Sequence, residues 1–246
     1  GVLIDCGISS RQILMRMEAV GLGDAPVDAV LVTHEHSDHV GAARVLCKRL
    51  ARRAGTSVPF YMTAGTRSRV RPQSMPDAIE EIRPGEVVRI GHLVADPFSV
   101  SHDTADPVAW RVGSGGTWAG VITDLGSSTA LVVEKLRTLT LAVLEFNHDF
   151  ELLMGGAYPW HLKQRIRSSH GHLSNEQAAT LLSDALGPQL RHLMLAHLSD
   201  ENNRPERALA TAAEVLHRHG VVDEVSLRVA SQNAAGPPVV VPVVDW

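Results

Sequence analysis

The chain of 246 residues has only two cysteines, Cys6 and Cys47, set far apart. That excludes a disulfide-stapled scaffold and a Cys-ligated structural zinc site, and it predicts free thiols in a reducing cytoplasm. A signal peptide is missing, and so is any apolar run long enough to span a bilayer, so cytoplasmic residence and no membrane partner are expected. A net charge of −4 lacks the positive excess that would mark the whole surface for nucleic acid. No internal repeat is evident. What remains is 44% apolar content in a length that suits one sizeable α/β domain over residues 1–246.

Against these absences, thirteen histidines are more than packing requires. Three of them fall in Thr33-His34-Glu35-His36-Ser37-Asp38-His39, directly after the apolar run Asp28–Val32. Neutral imidazole nitrogen and carboxylate oxygen are the donors a borderline cation such as zinc prefers. In an extended turn His34 and His36 point the same way and can share one ion, while Asp38 and His39, offset by an odd step, reach a second ion beside it. A lone His-x-His would read as a surface loop, but the full His-x-His-x-Asp-His behind a buried-strand pattern does not. Three further apolar runs end on polar residues, at His102, at Asp124 and at His197. Taken singly, each is an ordinary strand-end residue.

Alternation and capping give the frame. Ser9 or Ser10 caps a helix through Ile13, Leu14, Met17 and Val20, and a second helix runs from Gly41 to about Arg53, with Asp38 and His39 at its N-terminus. Short strands follow at 58–62, 87–90, 93–102, 108–112 and 118–124, then a helix near 131–136 and a strand over 139–145. Helices over 175–186 and 205–217 flank the strand that ends at His197, and residues 235–246 form an extended tail. Strands in two blocks with helices outside predict a helix-sheet-sheet-helix sandwich.

The His-x-His-x-Asp-His motif followed by His102, Asp124 and His197 resembles the metallo-β-lactamase superfamily. The resemblance implies the four-layer αββα fold. It also implies two divalent metal ions, zinc or manganese, with His34, His36 and His102 on the first, Asp38, His39 and His197 on the second, and Asp124 shared. Asp5, ending the opening Val2-Leu3-Ile4-Asp5, would orient the ligand loop without binding metal. Because the family places a β-hairpin ahead of this strand and the sequence opens on Gly1, a truncated N-terminus is expected.

Substrate must come from the remainder of the chain. Tyr158 to Arg167 sets aromatics beside Lys163, Arg165 and Arg167, which suits a phosphate backbone with Trp160 or Tyr158 stacking on a base. The other basic clusters, Lys48 to Arg53 on a helix and Arg67 to Arg71 on a loop, read as solvated faces. Gly171-His172-Leu173-Ser174-Asn175 and His197-Leu198-Ser199 followed by Asn202-Asn203 resemble the YycJ/WalJ branch, bacterial proteins regarded as DNA exonucleases, and more distantly RNase Z. Ser174 with Gln177 reads as a helix capping box. Phe146 departs from the branch pattern, on the strand face opposite Glu145. The implied activity is a phosphodiesterase or nuclease, specifically a 5′-to-3′ DNA exonuclease using a metal-bridging hydroxide, with nucleic acid as substrate. Asp38 would accept the water's proton, and His172 with His148 would stabilise the phosphorane charge or protonate the leaving oxygen. The alternative is a thioester or lactone hydrolase of the same fold.

Overall fold

The computed structural model describes residues 1–242, and the last four positions of the expected tail lie outside the described residues. The chain forms two compact units. One comprises residues 1–99, 104–112 and 232–240, and the other residues 100–103, 113–231 and the C-terminal stretch from 241.

In the first unit, β1 (Val2–Ile4), β2 (Ala29–Leu31), β3 (Phe60–Thr63) and β4 (Ile79–Ile82) form a parallel sheet in that order. Parallel strands are covered on both faces, and this is why the run into the histidine motif is apolar at every position instead of alternating. Val30 and Val32 face α1 (Ser10–Ala19) and α3 (Ala43–Ala54), packing with Leu46, Leu50, Phe60 and Met62. Ala29 and Leu31 face the other way, onto Ile90 of β5 (Val88–Ile90), Ala95 of β6 (Leu93–Ser99) and Trp110 of β7 (Val108–Ser114). Helix, sheet and second strand layer therefore already lie in one unit.

In the second unit β8 (Thr117–Ile122), β9 (Leu141–Glu145), β10 (His192–Ala196) and β11 (Ser226–Val229) pair in parallel in that order. Helices α5 (Ala130–Arg137), α8 (Asn175–Ala185) and α9 (Pro205–Arg218) pack with one another or onto β11. The expected capping box of Ser174 and Gln177 starts α8.

Several boundaries differ from expectation. The residues of the metal motif do not open the long helix: Ser37–Val40 form a one-turn α2, and the chain breaks at Gly41 before α3. Arg67 and Arg69 lie on a short helix α4 (Ala64–Arg69), not on a loop, because Thr63 caps it by accepting from the Thr66 amide. Strands β4 and β11, and helix α6 (Phe150–Gly155), are too short to leave a periodic signature. Cys6 and Cys47 are free and buried in the same core. Residues 236–242 carry no helix or strand. None of the described helices is long and apolar enough to cross a membrane.

Candidate metal centre

In the first unit the ligand loop is held by Asp5. Its Oδ1 accepts from the Thr33 amide at 2.8 Å, and its Oδ2 accepts from the Thr33 hydroxyl at 2.8 Å and faces His39 Nδ1 at 2.8 Å. With Nδ1–H spent on the carboxylate, His39 presents the lone pair of Nε2. Nε2 of His34 faces Nδ1 of His36 at 3.0 Å, and the His34 and His39 rings are 4.1 Å apart. Asp38 is exposed, its carboxylate 3.6 Å from His39 Nε2. Gly7 makes this packing possible: a Cβ there would lie 1.4 Å from the Asp38 carbonyl oxygen. The intervening Glu35 is a clamp, accepting from the Ala105 amide at 2.9 Å.

In the second unit His102 sits three residues beyond β6, buried, with Nδ1 3.0 Å from the Gly171 carbonyl, so its Nε2 faces Asp103 at 3.4 Å and Asp124 at 3.6 Å. Burial lowers its pKa against the pull of Asp124, which keeps the ring a neutral donor. His197 repeats the arrangement, with Nδ1 3.3 Å from Glu145 and Nε2 3.5 Å from Asp124. His172 places Nδ1 3.3 Å from the same Glu145 oxygen and 3.9 Å from Asp124. Ligand-type atoms of Asp124, Glu145, His172 and His197 all lie within 4.8 Å of one another. Gly171 is obligatory here, because a Cβ would fall 2.2 Å from the Ile166 carbonyl oxygen.

Glu145 is the residue whose role the sequence did not announce. It is fully buried, yet burial, which alone would raise its pKa, is outweighed by His172 and His197, so it stays ionised far below the usual carboxylate range. It also accepts from the amides of Asp124 at 2.6 Å and Leu173 at 2.8 Å. The signal was available, since an acid at the end of β9 repeats the pattern at Asp5 and Asp124. Among the described residues, the non-glycine positions with φ in the left-handed region are Asp5, Asp124 and His197, at 59°, 58° and 58°. Each follows a parallel strand, and such strain is retained where it aims a side chain.

The two branch-specific segments form the scaffold behind these histidines. Asn203 donates to the carbonyls of Phe146 and Asn147 at 2.8 and 3.1 Å, and it exchanges hydrogen bonds with Asn175 at 2.9 and 3.0 Å. Asn147 in turn donates to the His197 carbonyl at 2.9 Å. Phe146 is buried in the core, as its place opposite the ligand side required.

His148 is buried outside that convergent group. Its Nδ1 lies 3.4 Å from Asn147 Oδ1, and burial drops its pKa to about 4 despite nearby Glu145. Lys163 contradicts the expected phosphate grip: it is buried on α7 (Trp160–Ile166), its ammonium donating to the carbonyls of Met154 and Gly156 at 2.7 Å each. Helix α7 turns that position inward, and the ammonium satisfies carbonyls left open at the end of α6. Arg165 is exposed and paired with Asp103 at 2.5 Å, and Trp160 is 57% exposed.

The donor set suits divalent metal. In His39, His102 and His197 one ring nitrogen is tied to a carboxylate or carbonyl while the other turns toward an acidic side chain, the arrangement that fixes tautomer and basicity in metal-ligating histidines.

The beta-lactamase superfamily domain matches residues 1–198. The chain is 32% identical over 224 residues to exodeoxyribonuclease YycJ of Bacillus anthracis, covering 89% of this chain and 82% of that protein. It is 31% identical over 220 residues to exodeoxyribonuclease WalJ of Streptococcus pneumoniae, covering 87% and 80% respectively. The metallo-β-lactamase fold protein YhfI from Bacillus subtilis has a TM-score of 0.67 at 17% identity over 96% of this chain and 85% of its own, which shows a common α/β, αββα fold. The chain belongs to the metallo-β-lactamase superfamily of metal-dependent hydrolases, in its YycJ/WalJ-like branch.

Proposed function

We propose that this chain is a metal-dependent nuclease, and specifically a 5′-to-3′ DNA exonuclease with two zinc or manganese ions. His34, His36 and His102 would hold the first ion, Asp38, His39 and His197 the second, and Asp124 both. When bound, the ions would make hydroxide available at neutral pH from a shared water and offset charge at phosphorus. Asp38, exposed beside His39, would accept the proton of the attacking water. His172, fixed through Nδ1 by Glu145, would turn Nε2 to the phosphorane or the leaving oxygen. His148 was expected to share that task, but burial keeps it unprotonated and its Nδ1 is turned to Asn147, so the task is given to His172.

The observation that carries the reading is the asparagine network. The Gly-His-Leu-Ser-Asn and His-Leu-Ser segments bind each other behind His172 and His197, in a chain that resembles exodeoxyribonucleases over most of its length. A small acyl substrate would not need His172 in addition to a full ligand set.

The test is digestion of end-labelled single- and double-stranded DNA and RNA by protein reconstituted with manganese or zinc. Stepwise release of nucleotides from the 5′ end of DNA is expected. Internal cuts would overturn the exonuclease mode, preference for RNA the substrate, and hydrolysis of a thioester with none of bis(p-nitrophenyl) phosphate the nuclease itself.

A further inference from the structure

We propose that the cavity beside His148 is a nucleobase subsite, which takes the base of one nucleotide of the substrate strand turned out of its stack. The inference rests on the nuclease reading and adds a binding site to it. The cavity measures about 520 Å³, within the range of sites that enclose small ligands. It lies within the second unit and is lined by His148, Phe150, Arg167, Ser174, Glu176 and Gln177.

Four observations point to a base. Phe150, first residue of α6, is 45% exposed, although packing gives a large aromatic no reason to stand in water there. The Arg167 guanidinium lies 4.8 Å from its ring centroid, so ring and guanidinium supply the flat surfaces on which unstacked bases rest. His148 is 1% exposed, and its Nδ1 is directed at Asn147 Oδ1. Its Nε2 makes no hydrogen bond to a described residue, and in the tautomer that donates from Nδ1 it is an acceptor. Gln177 spends its Oε1 on the Ser174 amide in the capping box, which leaves its NH₂ as a donor, and Glu176 adds a carboxylate to the same lining. A lining that offers both a donor and acceptors suits the edge of an amino-bearing base such as adenine or cytosine.

The same walls disfavour a phosphate. Asp149, Glu151 and Glu176 all line the cavity, against the single guanidinium of Arg167, and Arg207 is already paired with Asp149 at 2.8 Å. Position relative to the chemistry follows from the backbone. His148 lies three residues after Glu145, and its strand segment bridges Ser174, two residues after His172. The segments that aim the catalytic histidine therefore continue directly into the cavity wall.

The test uses end-labelled DNA in which a single abasic tetrahydrofuran residue replaces each nucleotide flanking the scissile phosphate in turn. At one position the abasic residue should lower kcat/KM about tenfold for the wild type, the scale of one base–aromatic stack. Phe150→Ala should cut intact and abasic strands at equal rates, and Phe150→Trp should restore the difference. An enzyme that cuts the intact strand but ignores abasic residues at every position, or a penalty that persists in Phe150→Ala, overturns the subsite and leaves the nuclease reading standing. An enzyme that cuts neither DNA nor RNA overturns both.

Discussion

The amide of Asp124 donates to the carboxylate of Glu145 at 2.6 Å, joining the end of β8 to the end of β9. The same carboxylate oxygen faces Nδ1 of both His172 and His197 at 3.3 Å. One buried acid thus sets the aim of three groups, and the proposed shared ligand and the proposed general acid move together or not at all.

Replacing Glu145 by Gln keeps the shape but sets an amide NH₂ against N–H donors that the carboxylate now satisfies. A buried donor left facing a donor costs about 1–3 kcal/mol, so urea unfolding of metal-free protein should show that loss. Loss of the carboxylate behind His197 should also weaken metal binding about 10- to 100-fold in a competition titration. Unchanged affinity would mean that Glu145 is purely a packing group.

Asp5→Asn is expected to act through a proton on the far side of a ring. Asn tolerates the left-handed backbone at this position and can still accept from the Thr33 amide, so stability should stay within about 1 kcal/mol. Its NH₂, however, would donate to His39 Nδ1, move the ring proton to Nε2 and block the nitrogen offered to metal. Occupancy of one of two ions should fall while the other is retained, as read by metal analysis after dialysis. Equal loss of both ions would refute the tautomer explanation.

Asp38→Ala and His172→Ala should fail differently. Asp38 is read as both ligand and proton acceptor, so its loss should lower metal content and turnover together. His172 is read as acting on the transition state and should leave metal content near normal. It nevertheless shares the convergent group of Asp124, Glu145 and His197, so equal metal loss in both variants would make His172 a ligand and change its role.

Much of this was legible in the chain because parallel strands buried on both faces leave unbroken apolar runs, and the residues that end them stand out. His34, Asp124 and His197 were marked that way, and so was Asp5. Glu145 was harder to assign because its task is to hold other side chains, and that shows only when their positions are known. The short α2 was missed since Gly41, which a helix interior tolerates at modest cost, here packs where a Cβ would lie 2.4 Å from the Ser37 carbonyl oxygen. Lys163 misled for a related reason: helical spacing tells which residues share a face, but not whether a given position looks out.

Lys163 makes the last point testable. Its ammonium is buried and donates to the carbonyls of Met154 and Gly156, closing the end of α6 onto α7. Charged hydrogen bonds of this kind contribute roughly 1.5–3 kcal/mol. Lys163→Ala should therefore lower the urea midpoint by an amount on that scale, while leaving the salt dependence of oligonucleotide binding unaltered at temperatures where the variant is folded. A phosphate contact would behave in the opposite way, with stability kept and the slope of log affinity against log salt reduced by about one unit. Arg165 supplies the control. It is exposed and held by Asp103 at 2.5 Å, a pair whose loss should change stability little at the surface. If Arg165→Ala flattens the salt slope and Lys163→Ala does not, the strand passes along the outer face of α7. If neither does, the substrate approaches this unit from another side and α7 serves only to brace α6.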